Sequence, residues 1–324
     1  MTFDATILTL DEPSAQARWQ VLEQASPQRS PFSTLSYARR AAEAYGLRCR
    51  MHLIVVNGQD TAGAIIFWRR RGPYREVRLP PFTQYSALLL RATSSEAAVH
   101  ARTSRLEMLL DSLENTYDRL DLMATISDVR PANWRRWRVQ PLYTYTLALA
   151  SGPATMHWSS SAVRTWRRYQ ECFRVEETGP DPARTVVSLC QESYRRHGRT
   201  LPGGQESLLS LVRNLQRDGQ VRLFTATRHG QDAVEAGLAV LLNGDRACYW
   251  VAGSAPGPSM TVLLGRVLPL LGEAGVTHFD FVGANTPSIA EFKRRLGPRL
   301  TPYHHLQKTT RLELRLLFRI TGKR

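Results

Sequence analysis

The chain has 324 residues, 43% of them apolar, enough to bury a sizeable core and to exclude a chain disordered by composition. Lys and Arg number 43 against 28 Asp and Glu, a net charge of +15, with no zinc-finger, helix-turn-helix or other DNA-reading signature beside it. Sequence-specific DNA binding is therefore excluded, and the excess charge implies an anionic substrate, an anionic polymer or an anionic membrane face.

Only Lys293, Lys308 and Lys323 are lysine; the remaining cations are arginine. A GC-rich genome gives that bias, and so does a phosphate-binding surface, because guanidinium offers phosphate two donors at once. Cys49, Cys172, Cys190 and Cys248 are far apart and form no CxxC pair, as expected of separate thiols in a reducing compartment. The N-terminal stretch MTFDATILTLDEPS lacks a signal-peptide core, and no run of 18 apolar residues occurs, so the expected location is cytoplasmic.

In chain order, a helix candidate ends at YARRAAEAYG (37–46). Residues 51–70, MHLIVVNGQDTAGAIIFWRR, read as strand, turn, strand, with the turn at Asn57-Gly58-Gln59-Asp60 because Asn-Gly favours positive φ. A long helix candidate covers roughly 95–115, and RLDLMAT (119–125) is a short apolar strand holding Asp121. The second half repeats the order. SSSAVRTWRRYQ (159–170) reads as a helix capped by serine. LCQESYRRHG (189–198) is a helix candidate, and residues 221–253 read as three strands with turns at His229-Gly230-Gln231-Asp232 and Asn243-Gly244-Asp245. A helix over roughly 260–274 leads to HFDFVGA (278–284), a short strand holding Asp280.

The Gly-Gln-Asp turns are offset by 172 residues and the strand aspartates by 159, close enough for one α/β unit used twice with loops of different length, divided near 149–153. Two ordinary hairpins could share these features by chance. Antiparallel strands early in each unit and a strand–helix–strand crossover late predict a mixed sheet.

With these pieces in place, the sequence resembles the FemAB-like branch of the GNAT acyltransferases. The resemblance rests on SPFSTLSYARRA (30–41), RLPPFTQYSALLL (78–90), NWRRWRVQPLYTYTLAL (133–149), and FDFVGANTPSIAEFKRRLG (279–297) followed by PYHHLQK (302–308). It implies an α/β (α+β) fold of two tandem GNAT-like domains, each a mixed, mainly antiparallel sheet flanked by helices. Residues 1–150 would be a substrate-shaping copy that lost catalysis, and residues 151–324 the catalytic copy. It also implies transfer of an acyl or aminoacyl group to an amine of a cell-envelope precursor: an amino sugar, a lipid-linked saccharide or a peptidoglycan peptide. The donor would be acyl-CoA or aminoacyl-tRNA, a co-substrate rather than a bound cofactor.

GNAT relatives grip CoA through backbone N–H groups of a glycine-rich loop. The matching stretch here, SAPGPSMTVLL (254–264), has one glycine and two prolines, Pro256 and Pro258, which supply no N–H. Fem enzymes, which draw on aminoacyl-tRNA, lack that loop too. A second reading is a catalytically inactive GNAT-fold module that binds an anionic saccharide or an envelope-biosynthesis complex.

The candidate residues follow from the chemistry of aminolysis, which needs a neutral amine, a place for the oxyanion and a proton path. Asp280, between Phe279 and Phe281, is the candidate base or orienting acid; a structural acid is the plainer reading. Lys293 resembles the Fem-branch lysine and is the candidate anion holder; it could equally be a helix-surface cation beside Arg294 and Arg295. Tyr303 is the candidate acid. Arg164, Arg167 and Arg168, spaced three and four apart on one helix face, are candidates for donor phosphate, with Tyr249, Trp250, Ser259 and Arg294. Gln84, Tyr85 and Asn285 are the acceptor candidates. The histidines show no metal spacing, so no metal is expected. The tail RLELRLLFRI (311–320) alternates as an edge strand would, while a basic amphipathic helix at the inner membrane face is the alternative. The candidate partners are accordingly an anionic small molecule or lipid-linked saccharide, tRNA, and an anionic membrane touched peripherally.

Overall fold

Nine α-helices and thirteen β-strands are described in a computed structural model that covers residues 3–92, 97–149, 154–177 and 179–314. The first eleven are β1 (Phe3–Leu8), α1 (Pro13–Gln24), α2 (Leu35–Tyr45), β2 (Arg48–Val56), β3 (Gln59–Arg71), β4 (Tyr74–Val77), β5 (Ala87–Leu90), α3 (Ala97–Thr116), β6 (Arg119–Ala124), α4 (Arg130–Trp134) and β7 (Arg138–Ala148). There follow α5 (Ser160–Tyr169), β8 (Phe173–Glu176), α6 (Pro182–Arg196), α7 (Gln205–Arg217), β9 (Val221–Arg228), β10 (Val234–Asn243), β11 (Arg246–Ser254), α8 (Ser259–Glu273), β12 (His278–Asp280), α9 (Pro287–Arg294) and β13 (Arg299–Thr309). Local chemistry sets many of the boundaries. Asn57 (φ 49°) and Gly58 (φ 78°) make the turn between β2 and β3, so Gln59 and Asp60 already belong to the second strand. Thr34 caps α2 and Ser159 caps α5, each accepting from a backbone N–H of the first turn.

Two compact units result, Met1–Leu142 with Pro302–Arg324, and Tyr143–Thr301. The chain leaves the first within β7 and returns within β13. The divide expected at 150/151 thus falls at 142/143. The C-terminal strand belongs with the first unit because β13 pairs antiparallel with β6, from His304↔Ala124 to Thr309↔Arg119.

In the first unit β1, β2 and β3 are antiparallel neighbours. β3 bonds β5 over Ala62–Ile65 and β4 over Trp68–Arg71, and β4 runs parallel to β6. Leu106, Leu109, Leu110 and Leu113 of α3 pack on Leu120, Leu122 and Ala124 of β6 and on Leu306 of β13. Alternation then turns Arg119, Asp121 and Met123 to the other face, where they are only half-buried. Beneath α3 lies His52, wholly buried, with Nδ1 3.0 Å from Ser112 Oγ and Nε2 3.1 Å from the Tyr117 hydroxyl. Burial, aided by Arg50, lowers its pKa to about 4.

In the second unit β8, β9, β10 and β11 are antiparallel, β11 is parallel to β12, and β12 pairs with the end of β7. Val262, Leu263, Val267 and Leu271 of α8 pack on Phe224, Leu238 and Val240. On the opposite face α6 lies directly on the backbone of β10 and β11: a Cβ on Gly253 would sit 2.1 Å from the carbonyl carbon of Leu189. The ring of Trp166 on α5 rests on Gly265 of α8. The same order of paired helices, antiparallel strands, helix and strand therefore recurs in each unit, as the duplicated motifs imply. Within each unit the strand pairing is mainly antiparallel, with a parallel pair beside it: β4–β6 in the first and β11–β12 in the second.

The second aspartate-bearing strand is shorter than expected: β12 ends at Asp280, because Val282 (φ 39°) and Gly283 (φ 65°) turn the chain. Of the tail 311–320, residues 312–314 are helical, and residues 315–320 lie outside the described residues. No helix among the described residues is long and apolar enough to cross a membrane.

Candidate active site

The second unit opens where β11 and β12 part. Their parallel pairing covers only Arg246↔His278, Ala247↔Phe279 and Cys248↔Asp280. Beyond it, residues 281–284 keep to β7, with Phe281 N–H donating to Tyr145 O and Ala284 N–H to Tyr143 O, both at 2.8 Å. The carbonyls on the β11 side are left without a strand partner.

Lys293 fills that wedge. Reaching up from α9 with its side chain buried, it donates to the carbonyl oxygens of Phe281 (2.7 Å), Val282 and Gly283 (2.9 Å). Its ammonium lies 5.4 Å from the Tyr249 ring centroid, a cation–π distance. Burial pushes its pKa down to about 8, against the pull of Asp280. An ammonium has three N–H donors, and three carbonyls engage them. The anion-holding role expected of Lys293 is thus replaced by a structural one, and it is not a helix-surface cation either.

Asp280 stands on the same turn. Its Oδ1 accepts from the Thr144 hydroxyl (2.6 Å) and from the backbone N–H of Val282 (2.8 Å). This carboxylate fixes the turn that carries Val282 at a φ rare for a β-branched residue. Asn285 is exposed and uses its amide as a strand residue would, accepting from Tyr143 N–H (2.9 Å) and donating to Tyr143 O (3.1 Å).

The donor candidates divide. Arg164, Arg167 and Arg168 are exposed on α5, and no carboxylate pairs with them among the described residues. Arg168 lies over Tyr169, at 5.2 Å. Arg294 is exposed but chelated by Glu291. Ser259 is fully buried at the start of α8, its hydroxyl directed to Glu235 O, and Trp250 is buried in the sheet. Neither is placed to meet phosphate, contrary to expectation. The loop before α8 keeps its prolines at 256 and 258, and Arg196 donates to its first carbonyl, Ser254 O.

The first unit gathers the remaining candidates. Gln84 Nε2 donates to the Tyr303 hydroxyl (2.6 Å), and Tyr85 meets the Tyr303 ring edge-on with centroids 5.1 Å apart. Tyr303 is 3% exposed, so the candidate acid is a packed side chain with its hydroxyl against an amide.

Two residues later on the same strand face, His305 Nε2 lies 2.6 Å from Asp121 Oδ1. Gln307 Nε2 donates to Asp121 Oδ2 at 3.3 Å. Burial raises the carboxyl's pKa, but His305, Gln307 and Arg119 together bring it below the ordinary range. In the sequence His305 stands out only as part of PYHHLQK, and Asp121 only as the counterpart of Asp280. The two are far apart in sequence, but β-alternation from Tyr303 together with the repeated strand aspartate was a usable signal for the pair.

Comparison with known proteins agrees with this architecture. Residues 160–294 match the model of the acetyltransferase (GNAT) domain, Acetyltransf_6. The whole fold is similar to the crystal structure of FemX, with a TM-score of 0.73 at 11% identity, covering 98% of this chain and 99% of that one. A tandem GNAT protein from the clavulanic acid biosynthesis pathway matches with a TM-score of 0.53 at 13% identity over 94% of this chain and 98% of that one. A domain assigned as the C-terminal part of a lysylphosphatidylglycerol synthetase from Agrobacterium fabrum matches with a TM-score of 0.53 at 12% identity over 93% of both chains. No curated protein matches the sequence.

Proposed function

We propose that this chain, a GNAT acyltransferase with the fold of the FemAB-like branch, transfers an acyl or aminoacyl group from an activated ester or thioester to an amine of a cell-envelope precursor. The observation that carries the reading is the GNAT domain matched over residues 160–294, set in a chain whose full length has the FemX fold. An activated carbonyl is already reactive, so holding donor and amine together supplies much of the rate.

The acceptor class, an amino sugar, lipid-linked saccharide or peptidoglycan peptide, is supported by the cell-wall role of the Fem branch that the sequence resembles. The lysylphosphatidylglycerol synthetase likeness supports aminoacyl transfer to an envelope component in the same way. Arg164, Arg167 and Arg168 are the residues suited to donor phosphates, whether of CoA or of tRNA. Gln84 is the acceptor candidate in the first unit, its amide turned to Tyr303.

The second reading, a binding module without transferase activity, is favoured by the proline-bearing loop at 254–258 and by the engaged ammonium of Lys293. Isothermal titration with acyl-CoA, together with a radiolabel assay using charged tRNA, separates the two. Saturable donor binding followed by labelled amine is the transferase result. Response to neither donor leaves the binding module.

A further inference from the structure

We infer that His305 is the general base of the transfer, with Asp121 as its positioning residue. The inference rests on the transferase reading and assigns the base to the first unit, where the sequence predicts only a substrate-shaping copy.

An ionised Asp121 can only accept, so the 2.6 Å contact fixes His305 as the tautomer with hydrogen on Nε2. The lone pair then resides on Nδ1, and no protein partner engages that nitrogen among the described residues. Gln307 holds the second carboxylate oxygen, so ring and carboxylate are both oriented. The imidazole is 19% exposed and the carboxylate 33%, enough for a substrate amine to reach the ring. Lys293, whose three N–H donors are taken by carbonyls, and Tyr303, the candidate acid, are only 5% and 3% exposed.

Alternation makes the pair accessible. Leu306 and the even-numbered residues of β6 pack against α3, and His305 and Asp121 occupy the opposite face. Among the described residues, the charged or titratable groups on that face include Glu76 with its partners Arg69 and Arg119, the phenols of Tyr85 and Tyr303, and Arg138 of β7, whose neighbour Val139 packs on the α3-side core.

In the step itself the amine nitrogen attacks the donor carbonyl carbon, and Nδ1 of His305 takes the proton that nitrogen sheds. The C–N bond forms as the C–O bond of an ester or the C–S bond of a thioester breaks. The imidazolium returns the proton to the departing alkoxide or thiolate, so the dyad ends as it began, and Asp121 stabilises the cation between the two transfers.

The test is the transfer assay with acyl-CoA and charged tRNA, run on the full chain and on His305→Gln, Asp121→Asn and, as a control, His197→Gln. The expected result is a kcat at least 100-fold lower in H305Q, KM within threefold, and loss of the acid limb of the kcat–pH profile. D121N lowers kcat at least tenfold and shifts the 15N signature of the ring away from the Nε2–H tautomer, and D121E recovers part of the rate. A kcat for H305Q within threefold of wild type, with the same pH profile, overturns the inference and leaves the transferase reading standing. Absence of transfer by the wild-type chain with both donors overturns the transferase reading, and the base falls with it. Should H305Q fail to fold by circular dichroism, D121N decides, since it keeps the ring: an unchanged kcat overturns the inference.

Discussion

The ammonium of Lys293 lies 2.7 Å from the carbonyl oxygen of Phe281, at the point where β11 and β12 cease to pair. In that place the lysine stands in for the N–H donors that β11 withdraws. Replacing it by Met keeps the volume and leaves buried carbonyls without donors, at about 1–3 kcal/mol for each one not rescued by water. Lys293→Met is therefore expected to lose at least ~2 kcal/mol in urea unfolding. A loss below about 0.5 kcal/mol would show that the ammonium is dispensable to the wedge.

Helix α6 touches the backbone of β11 at Gly253, where an added Cβ would meet main-chain atoms of Leu189 and Cys190 at 2.1–2.3 Å. Main chain cannot rotate aside, so Gly253→Ala must push the helix off the sheet. The expected cost is ~3 kcal/mol or more, at the upper end of overpacking effects. Thermal unfolding measures it, and a melting temperature within a degree or two of wild type would contradict the packing.

Burial holds the pKa of His52 at about 4 against an ordinary 6.5. Between those values the unfolded chain binds more protons than the folded one, so stability rises with pH. The contribution of the neutral ring is complete above pH 6.5 and is lost as pH falls toward 4. At about 1.4 kcal/mol per pH unit the gap is worth ~3 kcal/mol. Unfolding free energies at pH 7 and pH 4.5 should differ by ~2 kcal/mol more in wild type than in His52→Gln. Equal differences would mean that the ring is not buried neutral.

How much of this was legible in the sequence depended on how local the determinant was. The Asn57-Gly58 turn, the serine cap of α5 and the duplicated strand aspartates are short-range signals, and each marks an element that forms. Ser159 even predicts the helix that carries the arginine face. The roles of Asp280 and Lys293 were less legible because they depend on where two strands part, and strand divergence has no local signature. The positive φ of Val282 is likewise imposed from outside, by the Asp280 carboxylate and the Lys293 ammonium. The Asp121–His305 pair joins the two separate segments of the first unit's chain, so only the return of β13 to β6 reveals it. Ser259 failed as a phosphate ligand for a simpler reason: the first turn of α8 is buried against Glu235 O.

On α5 the three arginines are exposed and free of carboxylate partners among the described residues, which suits a polyanionic donor. Charge reversal at Arg164, Arg167 and Arg168 together is expected to weaken binding of bulk tRNA or CoA at least tenfold near 100 mM salt. The slope of log affinity against log salt should become shallower by about two to three for tRNA. Unchanged affinity and slope would assign the face to solvent.

Acyl transfer is measured most directly by mass spectrometry of the acceptor after incubation with a 13C-labelled acyl or aminoacyl donor. The expected product carries the labelled acyl group in amide linkage on the acceptor nitrogen, formed at a rate proportional to enzyme concentration. Donor left intact, or hydrolysed with no labelled amide, would contradict the transferase reading.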